Sequence, residues 1–128
     1  MTTPDLLAPP DEQSIARGIA LFADIVGRRY GSSLRGLFLF GSRARGDASP
    51  FSDVDLAVVV SDDVDAARET TLLSAATYDV LVQSGAEVQP WVFRESEWEM
   101  PETAASSRLI RSAKRDARAV EVAHGLVS

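Results

Sequence analysis

The sequence has no cysteine and a single histidine among its 128 residues. The absence of cysteine excludes disulfides, thiolate metal ligands and a cysteine nucleophile, and it leads us to expect a cytoplasmic protein. The one histidine, His124, lies in a predicted tail near the end of the sequence. We therefore expect no catalytic role for it and no Ser-His-Asp arrangement.

Long apolar runs are missing as well. The longest covers only residues 56–60, whereas about 20 apolar residues are needed to cross a bilayer. Residues 1–10 contain neither a basic region nor a long apolar run, so they predict a flexible lead-in and no signal peptide. The net charge of -6 argues against general nucleic-acid binding. We expect no membrane association.

The overall composition is that of one globular domain. The chain is 45% hydrophobic and 25% charged, which is close to the average for such proteins. It has no internal repeat, no low-complexity block and no internal linker. We therefore predict a single domain over residues 11–125, with its oligomeric state open.

Periodicity and turn residues predict alternating helices and strands. The first helix covers residues 10–30, capped by Asp11 and ended by Gly31. Pro90 predicts a strand at a sheet edge or bulge, because proline donates no ladder hydrogen bond. The further elements are strand 36–40, a helical turn at Ser42–Arg45, loop 46–52, strand 53–60, helix 64–84, strand 87–93, a turn at Glu95–Glu99 and helix 102–123. This order predicts an α/β (α+β) fold, a small mixed sheet of three or more strands flanked by helices.

Helical spacing also predicts which side chains are buried. In the first helix they are Ile15, Ile19, Phe22 and Val26. In the second long helix they are Val64, Ala67, Thr71, Ala75, Tyr78 and Val82, and in the last helix Leu109, Ala113, Ala117 and Val120. The last helix also carries a basic stripe of Arg108, Arg111, Arg115 and Arg118, which predicts either a solvated face or a surface for nucleic acid or an acidic partner. Trp91 and Trp98 are interpreted as packing residues.

Two carboxylates open the second strand. Asp53 and Asp55 are two residues apart, so they face the same side of an extended chain. Side by side they repel each other, and a divalent cation removes that conflict. Oxygen ligands of this kind suit Mg²⁺, which also takes phosphate oxygens and water. The pattern therefore predicts a magnesium site, with Mn²⁺ as the alternative ion.

Phosphate-binding features precede these carboxylates. Gly41 lets the backbone approach closely, and Ser42 offers a hydroxyl and an amide at the start of a helical turn. Arg43 and Arg45 are candidate phosphate partners that cannot both face one way on a helix, and we favour Arg45. Ser49 and Ser52 are expected to cap turns, and Ser52 is also a candidate phosphate ligand.

Taken together, Gly41-Ser42, ten intervening residues and Asp53-Val54-Asp55 resemble the signature of the DNA polymerase beta superfamily. More narrowly, GSRARG followed by SDVDLAV resembles the minimal nucleotidyltransferase (MNT) domains, some of which act as antitoxins beside helical HEPN proteins. The resemblance implies the polymerase-beta-like nucleotidyltransferase fold. It implies that Gly41 and Ser42 hold the triphosphate, that Asp53 and Asp55 bind Mg²⁺, and that a nucleoside monophosphate passes to an acceptor hydroxyl.

The family places a third carboxylate on a following strand. Glu87 is our candidate for this catalytic and metal-binding role, with Asp79 as the alternative on a helix; Gln89 shares the face of Glu87 but is neutral. ATP is the expected nucleotide, and a HEPN-type protein is the expected partner and acceptor. The alternative is a weak or inactive MNT-fold binding module that acts by holding its partner. RNA binding through the last helix is a third hypothesis.

Overall fold

The computed structural model describes residues 8–123, so residues 1–7 of the predicted lead-in and His124 lie outside the described part. The elements, in chain order, are α1 (Glu12–Tyr30), β1 (Leu34–Phe40), α2 (Ser42–Arg45), β2 (Val54–Val60), α3 (Ala66–Ser84), β3 (Val88–Arg94), α4 (Glu95–Glu99), α5 (Ser107–Asp116) and β4 (Arg118–Ala119). Within residues 8–123, no helix combines the length and the apolar character that crossing a bilayer requires.

The four strands form one mixed sheet in the order β3-β2-β1-β4. β1 is antiparallel to both β2 and β4, whereas β2 and β3 are parallel and joined by α3. The helices α1 and α3 pack on one face around Phe22, Leu56 and Leu73. On the other face, Phe40, Ala57 and Ile110 form a smaller core with α5. These features confirm the predicted fold class.

The first helix follows its sequence signals closely. The Asp11 carboxylate accepts a 2.8 Å hydrogen bond from the Ser14 amide, and Gly31 caps the carboxyl end with φ 53°. Ile15, Phe22 and Val26 are buried, and Ile19 packs against them. Local capping and a regular apolar stripe therefore determine this element.

The prediction for Pro90 is confirmed, since β3 is an edge strand of the sheet. Pro90 is fully buried, and its position needs no amide donor. The Val92 amide instead donates to the Thr70 hydroxyl of α3 at 3.3 Å. Helix α3 therefore covers part of the edge that β3 would otherwise expose.

The predicted buried face of α3 is wrong. Leu73, Val80 and Ser84 are the buried residues, whereas Ala67, Thr71, Ala75 and Tyr78 are exposed. Small and apolar residues occur on every side of this helix, so its sequence does not predict a single apolar stripe as the buried face. Packing against α1 decides the face, because Gly18 lies so close to the Ser84–Ala86 turn that a Cβ on it would be 2.5 Å from that of Ala86.

The predicted last helix is also wrong in its extent. Helix α5 ends at Asp116, and the chain continues into β4, which pairs with Phe38 and Leu39 of β1. The Val120 amide donates to the Leu37 carbonyl at 2.8 Å. The unpaired edge of β1 takes up this segment, which sequence periodicity does not reveal. Arg118 therefore lies in the sheet, and the predicted basic stripe is interrupted.

Candidate active site

The two motif carboxylates lie where β1 ends and β2 begins. Asp53 immediately precedes β2, and Asp55 is its second residue, paired with Phe40 of β1 and Gln89 of β3. Strand alternation places Asp53 and Asp55 on the face that also carries Ala57 and the α5 core. The predicted side-by-side arrangement of the carboxylates is therefore present at this end of the sheet.

Gly41 closes one side of this arrangement. Its backbone has φ 76° and ψ -158°, a conformation that side chains disfavour. A Cβ at this position would lie 2.5 Å from Asp55 Oδ2. The Gly41 backbone therefore packs directly against the Asp55 carboxylate, and only glycine fits there.

The turn after Gly41 presents its amides at the same place. Ser42 begins α2, and the amides of Ala44 and Arg45 both donate to the Gly41 carbonyl at 3.1 Å. The first amides of a helical turn have no carbonyl within the turn to bond. The Ser42 and Arg43 amides are thus the donors that an anion beside Asp55 would meet.

The charge of Asp53 raises the pKa of two neighbouring carboxylates, Asp55 and Glu87. The pKa of Asp55 is raised chiefly by partial burial and also by the charge of Asp53. Trp91 and Arg45 partly offset this rise in the pKa of Asp55. The Trp91 indole N–H donates a hydrogen bond to Asp55 Oδ1 at 3.4 Å. The pKa of Glu87 is raised by the charge of Asp53 first, and then by burial and a hydrogen bond with Asp53. A cation at this site would relieve the repulsion.

Glu87 therefore lies beside Asp53, as proposed for a third carboxylate. Its carbonyl also accepts from the Val54 amide at 2.8 Å, which joins the starts of β2 and β3. However, no three acidic or histidine side chains within residues 8–123 are arranged to hold one metal ion. The residue opposite Asp55 is the neutral Gln89, and the alternative candidate Asp79 is an exposed residue of α3.

Arg43 braces a loop. Its guanidinium donates to the Ser52 carbonyl at 2.9 and 3.0 Å and to the Pro50 carbonyl at 3.2 Å. Ser52 in turn accepts from the Ser49 amide at 2.9 Å through its hydroxyl. Both residues thus fix the loop before Asp53, and the contacts of Ser52 fit the expected turn-capping role.

Arg45 is a basic side chain that acts on Asp55. Its Nη1 donates to Asp116 Oδ2 at 2.8 Å and its Nε to Asp47 Oδ2 at 3.2 Å. Its positive charge lowers the pKa of Asp55. Of the two arginines, Arg45 is the one whose charge acts on Asp55, and its role toward phosphate stays a prediction.

Sequence reasoning missed two neighbours of the site. Trp91 was interpreted as a packing residue, although its position two and four residues after Gln89 and Glu87 puts it on the same face of β3. That alternation was available in the sequence. Asp116 carried no such signal, because it contacts Arg45 across 71 residues of chain.

Comparison with known proteins identifies the domain. A candidate nucleotidyltransferase from Sulfolobus solfataricus has a crystal structure with a TM-score of 0.46 to this chain, at 21% identity over 84% of this chain and 82% of the other. No curated protein matches the sequence. The profile of the nucleotidyltransferase domain family matches residues 19–119, which is most of the chain and includes the whole Gly41–Asp55 motif. The chain therefore belongs to the nucleotidyltransferase domain family.

Proposed function

We propose that this domain transfers a nucleoside monophosphate, AMP from ATP, to a hydroxyl group on a protein acceptor. The observation that carries the proposal is the contact between Gly41 and Asp55, which sets a backbone turn suited to phosphate directly against a carboxylate. Family membership supports nucleotidyl transfer in general. The choice of ATP as the nucleotide, of Mg²⁺ as the metal and of a protein as the acceptor is our proposal and goes beyond family membership.

The donor set suits a magnesium ion. Asp53 and Asp55 offer carboxylate oxygens on one face, and Mg²⁺ in nucleotide sites commonly uses one or two carboxylates together with substrate phosphates and water. In this role Asp53 and Asp55 hold the ion, with Glu87 beside Asp53. When bound, the ion supplies charge neutralisation at the phosphates and a lower pKa for the attacking hydroxyl.

Groups of the protein itself bind the phosphates of the nucleotide in this scheme. The Ser42 hydroxyl and the first amides of α2 bind the outer phosphates, and Arg45 adds a positive charge on the same side. The acceptor oxygen bonds to the α-phosphorus while the bond from that phosphorus to the pyrophosphate oxygen breaks. Pyrophosphate leaves on the side of α2, and the acceptor's proton passes to solvent. Catalysis in this scheme is mostly positioning and charge compensation.

Thermal unfolding with each nucleoside triphosphate, with and without Mg²⁺, tests the nucleotide site. At about 100 times its dissociation constant, a ligand adds roughly 2.7 kcal/mol to the free energy of unfolding. We expect this gain from Mg²⁺–ATP with the natural chain and its loss in Asp55→Asn. Asp79→Asn, a matched change on exposed α3, should keep it. No gain with any of the four nucleotides would refute the proposal.

Transfer itself is tested with labelled ATP, Mg²⁺ and a helical protein of the HEPN type as the proposed partner. We expect label on the partner with the natural chain and none with Asp55→Asn. Label on neither protein, despite measured ATP binding, would favour the second candidate function.

That second candidate is a binding module with the same fold and little turnover. It is favoured by the lack of a three-ligand metal arrangement within residues 8–123, and by the neutral Gln89 opposite Asp55. If a missing acid is the only defect, Gln89→Asp or Glu87→Asp should switch on transfer. If binding of the partner is the function, Asp55→Asn should leave it intact.

A further inference from the structure

Helix α5 lies on the same face of the sheet as the two motif carboxylates. Its buried residues, Ile110 and Ala113, belong to the core cluster that contains Ala57 of β2. Ala57 shares its face of the sheet with Asp55, because side chains alternate along a strand. The outer side of α5, opposite its buried residues, is therefore a surface beside the candidate active site.

This outer side carries a row of arginines. Arg108, Arg111 and Arg115, the members of the predicted basic stripe that stay on the helix, are three and four residues apart, so they share one side of it. They cover about 10 Å along the helix axis, and all three are exposed. Arg108 forms no ion pair with any described residue, and Arg111 lies 3.9 Å from Glu102, its acidic neighbour. We call these three arginines the α5 stripe.

The charge of the helix is opposite to that of the whole chain. Four of the ten residues of α5 are basic and one is acidic, although the chain carries a net charge of -6. Positive charge that is concentrated on one side of an acidic protein attracts negatively charged partners to that side. The charge pattern therefore indicates an acidic partner for this surface.

The carboxyl end of the α5 stripe is connected to the candidate active site through Asp116. One oxygen of the Asp116 carboxylate accepts from Arg115 at 3.2 Å, and the other accepts from Arg45 at 2.8 Å. Arg45 is close enough to Asp55 for its charge to oppose the rise in the pKa of Asp55 that burial causes. A partner seated on the stripe therefore lies beside the end of the sheet that carries the carboxylates.

Carboxylates at both ends limit the length of the stripe. Glu102, which precedes α5, adjoins Arg111, whereas Asp47 and Asp116 surround Arg45 at the other end. A nucleic-acid strand carries phosphates along its whole length, so it meets these carboxylates wherever it extends past the stripe. A small acidic patch on a protein avoids them and is the partner that this surface favours.

We infer that the α5 stripe binds an acidic surface of the acceptor protein and so brings the acceptor hydroxyl to the carboxylate site. The inference rests on the proposed function, because it takes the acceptor to be a protein. The partner is recognised by aspartate or glutamate side chains close to the hydroxyl that receives the nucleotide. The nucleotide itself is bound through α2 and the Asp pair, so the two substrates use different surfaces.

The test measures binding of a short fluorescent peptide with one serine among glutamates, in the presence of Mg²⁺ and a non-hydrolysable ATP analogue. Arg108→Glu and Arg111→Glu should each raise the peptide's dissociation constant about fivefold to tenfold, because an attraction becomes a repulsion. Added salt should weaken binding to the natural chain more than binding to either variant, because exposed charges are screened.

Arg28→Glu is the matched control. Arg28 is 66% exposed and Arg111 is 63% exposed, and both substitutions change the net charge by the same amount. Arg28 belongs to α1, which packs on the other face of the sheet. Its reversal should change the dissociation constant less than about twofold, because charges separated by more than about 8 Å are largely screened at physiological salt.

The inference would be overturned by no binding of the glutamate-rich peptide, by equal binding to the natural chain and both stripe variants, or by equal weakening in Arg28→Glu. Tighter binding of a lysine-rich peptide or of a short RNA with a free 3′ hydroxyl would also overturn it. Stabilisation by the Mg²⁺–nucleotide is measured on the same samples, and the stripe variants should keep it. If it is present while the peptide results fail, only the docking surface is wrong. If the natural chain lacks it, the proposed function is wrong.

Discussion

Gly41 and Asp55 are in contact across the gap between β1 and β2, so closely that no side chain fits at Gly41. The ideal Cβ position on Gly41 is 2.5 Å from Asp55 Oδ2 and 3.5 Å from Asp55 Cβ. Because the backbone of Gly41 also has a positive φ of 76°, this position is restricted twice, once by conformation and once by space. The carboxylate and the turn therefore hold each other in place.

Gly41→Ala should abolish metal-dependent nucleotide binding and lower the free energy of unfolding. The alanine methyl group must push the Asp55 carboxylate aside, and the disfavoured backbone conformation alone costs about 1–3 kcal/mol. Urea unfolding measures the stability, and Mg²⁺–ATP stabilisation measures the site.

Gly46→Ala is the matched control for this substitution. Gly46 also has a positive φ, 83°, but a Cβ there would meet nothing within 4 Å. Gly46 is in the left-handed helical region with ψ 14°, where alanine costs about 1–2 kcal/mol, so the variant adds backbone strain without displacing a carboxylate. Equal loss of nucleotide binding in both variants would show that backbone strain in this turn is sufficient and that the Asp55 contact is not responsible.

Asp116→Asn should weaken Mg²⁺–ATP binding about threefold to tenfold. The Asp116 side chain is only 7% exposed and holds Arg45 at 2.8 Å, and Arg45 lowers the pKa of Asp55. Loss of this carboxylate charge lets the guanidinium move away from the phosphate site. Calorimetric titration checks the affinity. Asp47→Asn removes the other, more exposed partner of Arg45 and should have the smaller effect; the reverse order would contradict the role given to Asp116.

The turn at Gly41 and the orientation of Asp55 could each be predicted from the sequence because each is local, whereas their contact depends on the pairing of Phe40 with Asp55. Alternation fixes the side of the strand on which Asp55 stands, and glycine followed by serine marks the turn. The same holds for the Asp11 cap and for Pro90 at the sheet edge. In these cases neighbouring residues alone decide the conformation.

The errors concern choices that distant parts of the chain decide. The buried face of α3 is set by the close approach of Gly18 to Ala86, and the end of α5 is set by the free edge of β1. The contacts of the two guanidinium groups are also decided by other parts of the chain. Arg43 donates to carbonyls of the loop, and Arg45 to an aspartate 71 residues away. No local sequence pattern distinguishes an arginine that binds within the protein from one that binds phosphate.

Glu69→Ala should lower the free energy of unfolding by about 1–3 kcal/mol at neutral pH, because a charged hydrogen-bond acceptor is lost. The Glu69 carboxylate accepts from Arg29 at 2.7 Å and from the Tyr30 hydroxyl at 2.8 Å, and so joins α1 to α3. Tyr30→Phe removes one of these bonds and should cost about 1 kcal/mol. Urea unfolding of the three proteins gives the comparison.

The contribution of Glu69 should depend on pH. Arg29 lowers the pKa of Glu69 below its ordinary value of 4.5. The folded chain therefore binds this proton less readily than the unfolded chain, and the stabilisation is complete above pH 4.5 and is lost as the pH falls through the lowered pKa. The stability gap between the natural chain and Glu69→Ala should close over that range. A gap that stays constant down to acid pH would show that packing, and not the charge, accounts for it.

Trp91 should report on metal binding through its fluorescence. Its indole N–H is bonded to Asp55 Oδ1, so a cation that engages this carboxylate changes the electrostatic field at the ring. Mg²⁺ or Mn²⁺ with ATP should alter the tryptophan emission of the natural chain and of Trp98→Phe. Trp98 is the matched control, because it stacks on Phe38 and Phe93 at 5.2 and 5.8 Å within the α5-side core.

Trp91→Phe should abolish this emission change and weaken metal-dependent nucleotide binding. The hydrogen bond from Trp91 opposes the rise in the pKa of Asp55 that burial causes. Without it the carboxylate holds its proton more strongly, and a cation must compete with that proton. The loss of affinity should therefore shrink as the pH rises well above the raised pKa. A signal that persists in Trp91→Phe and disappears in Trp98→Phe would place the cation away from Asp55.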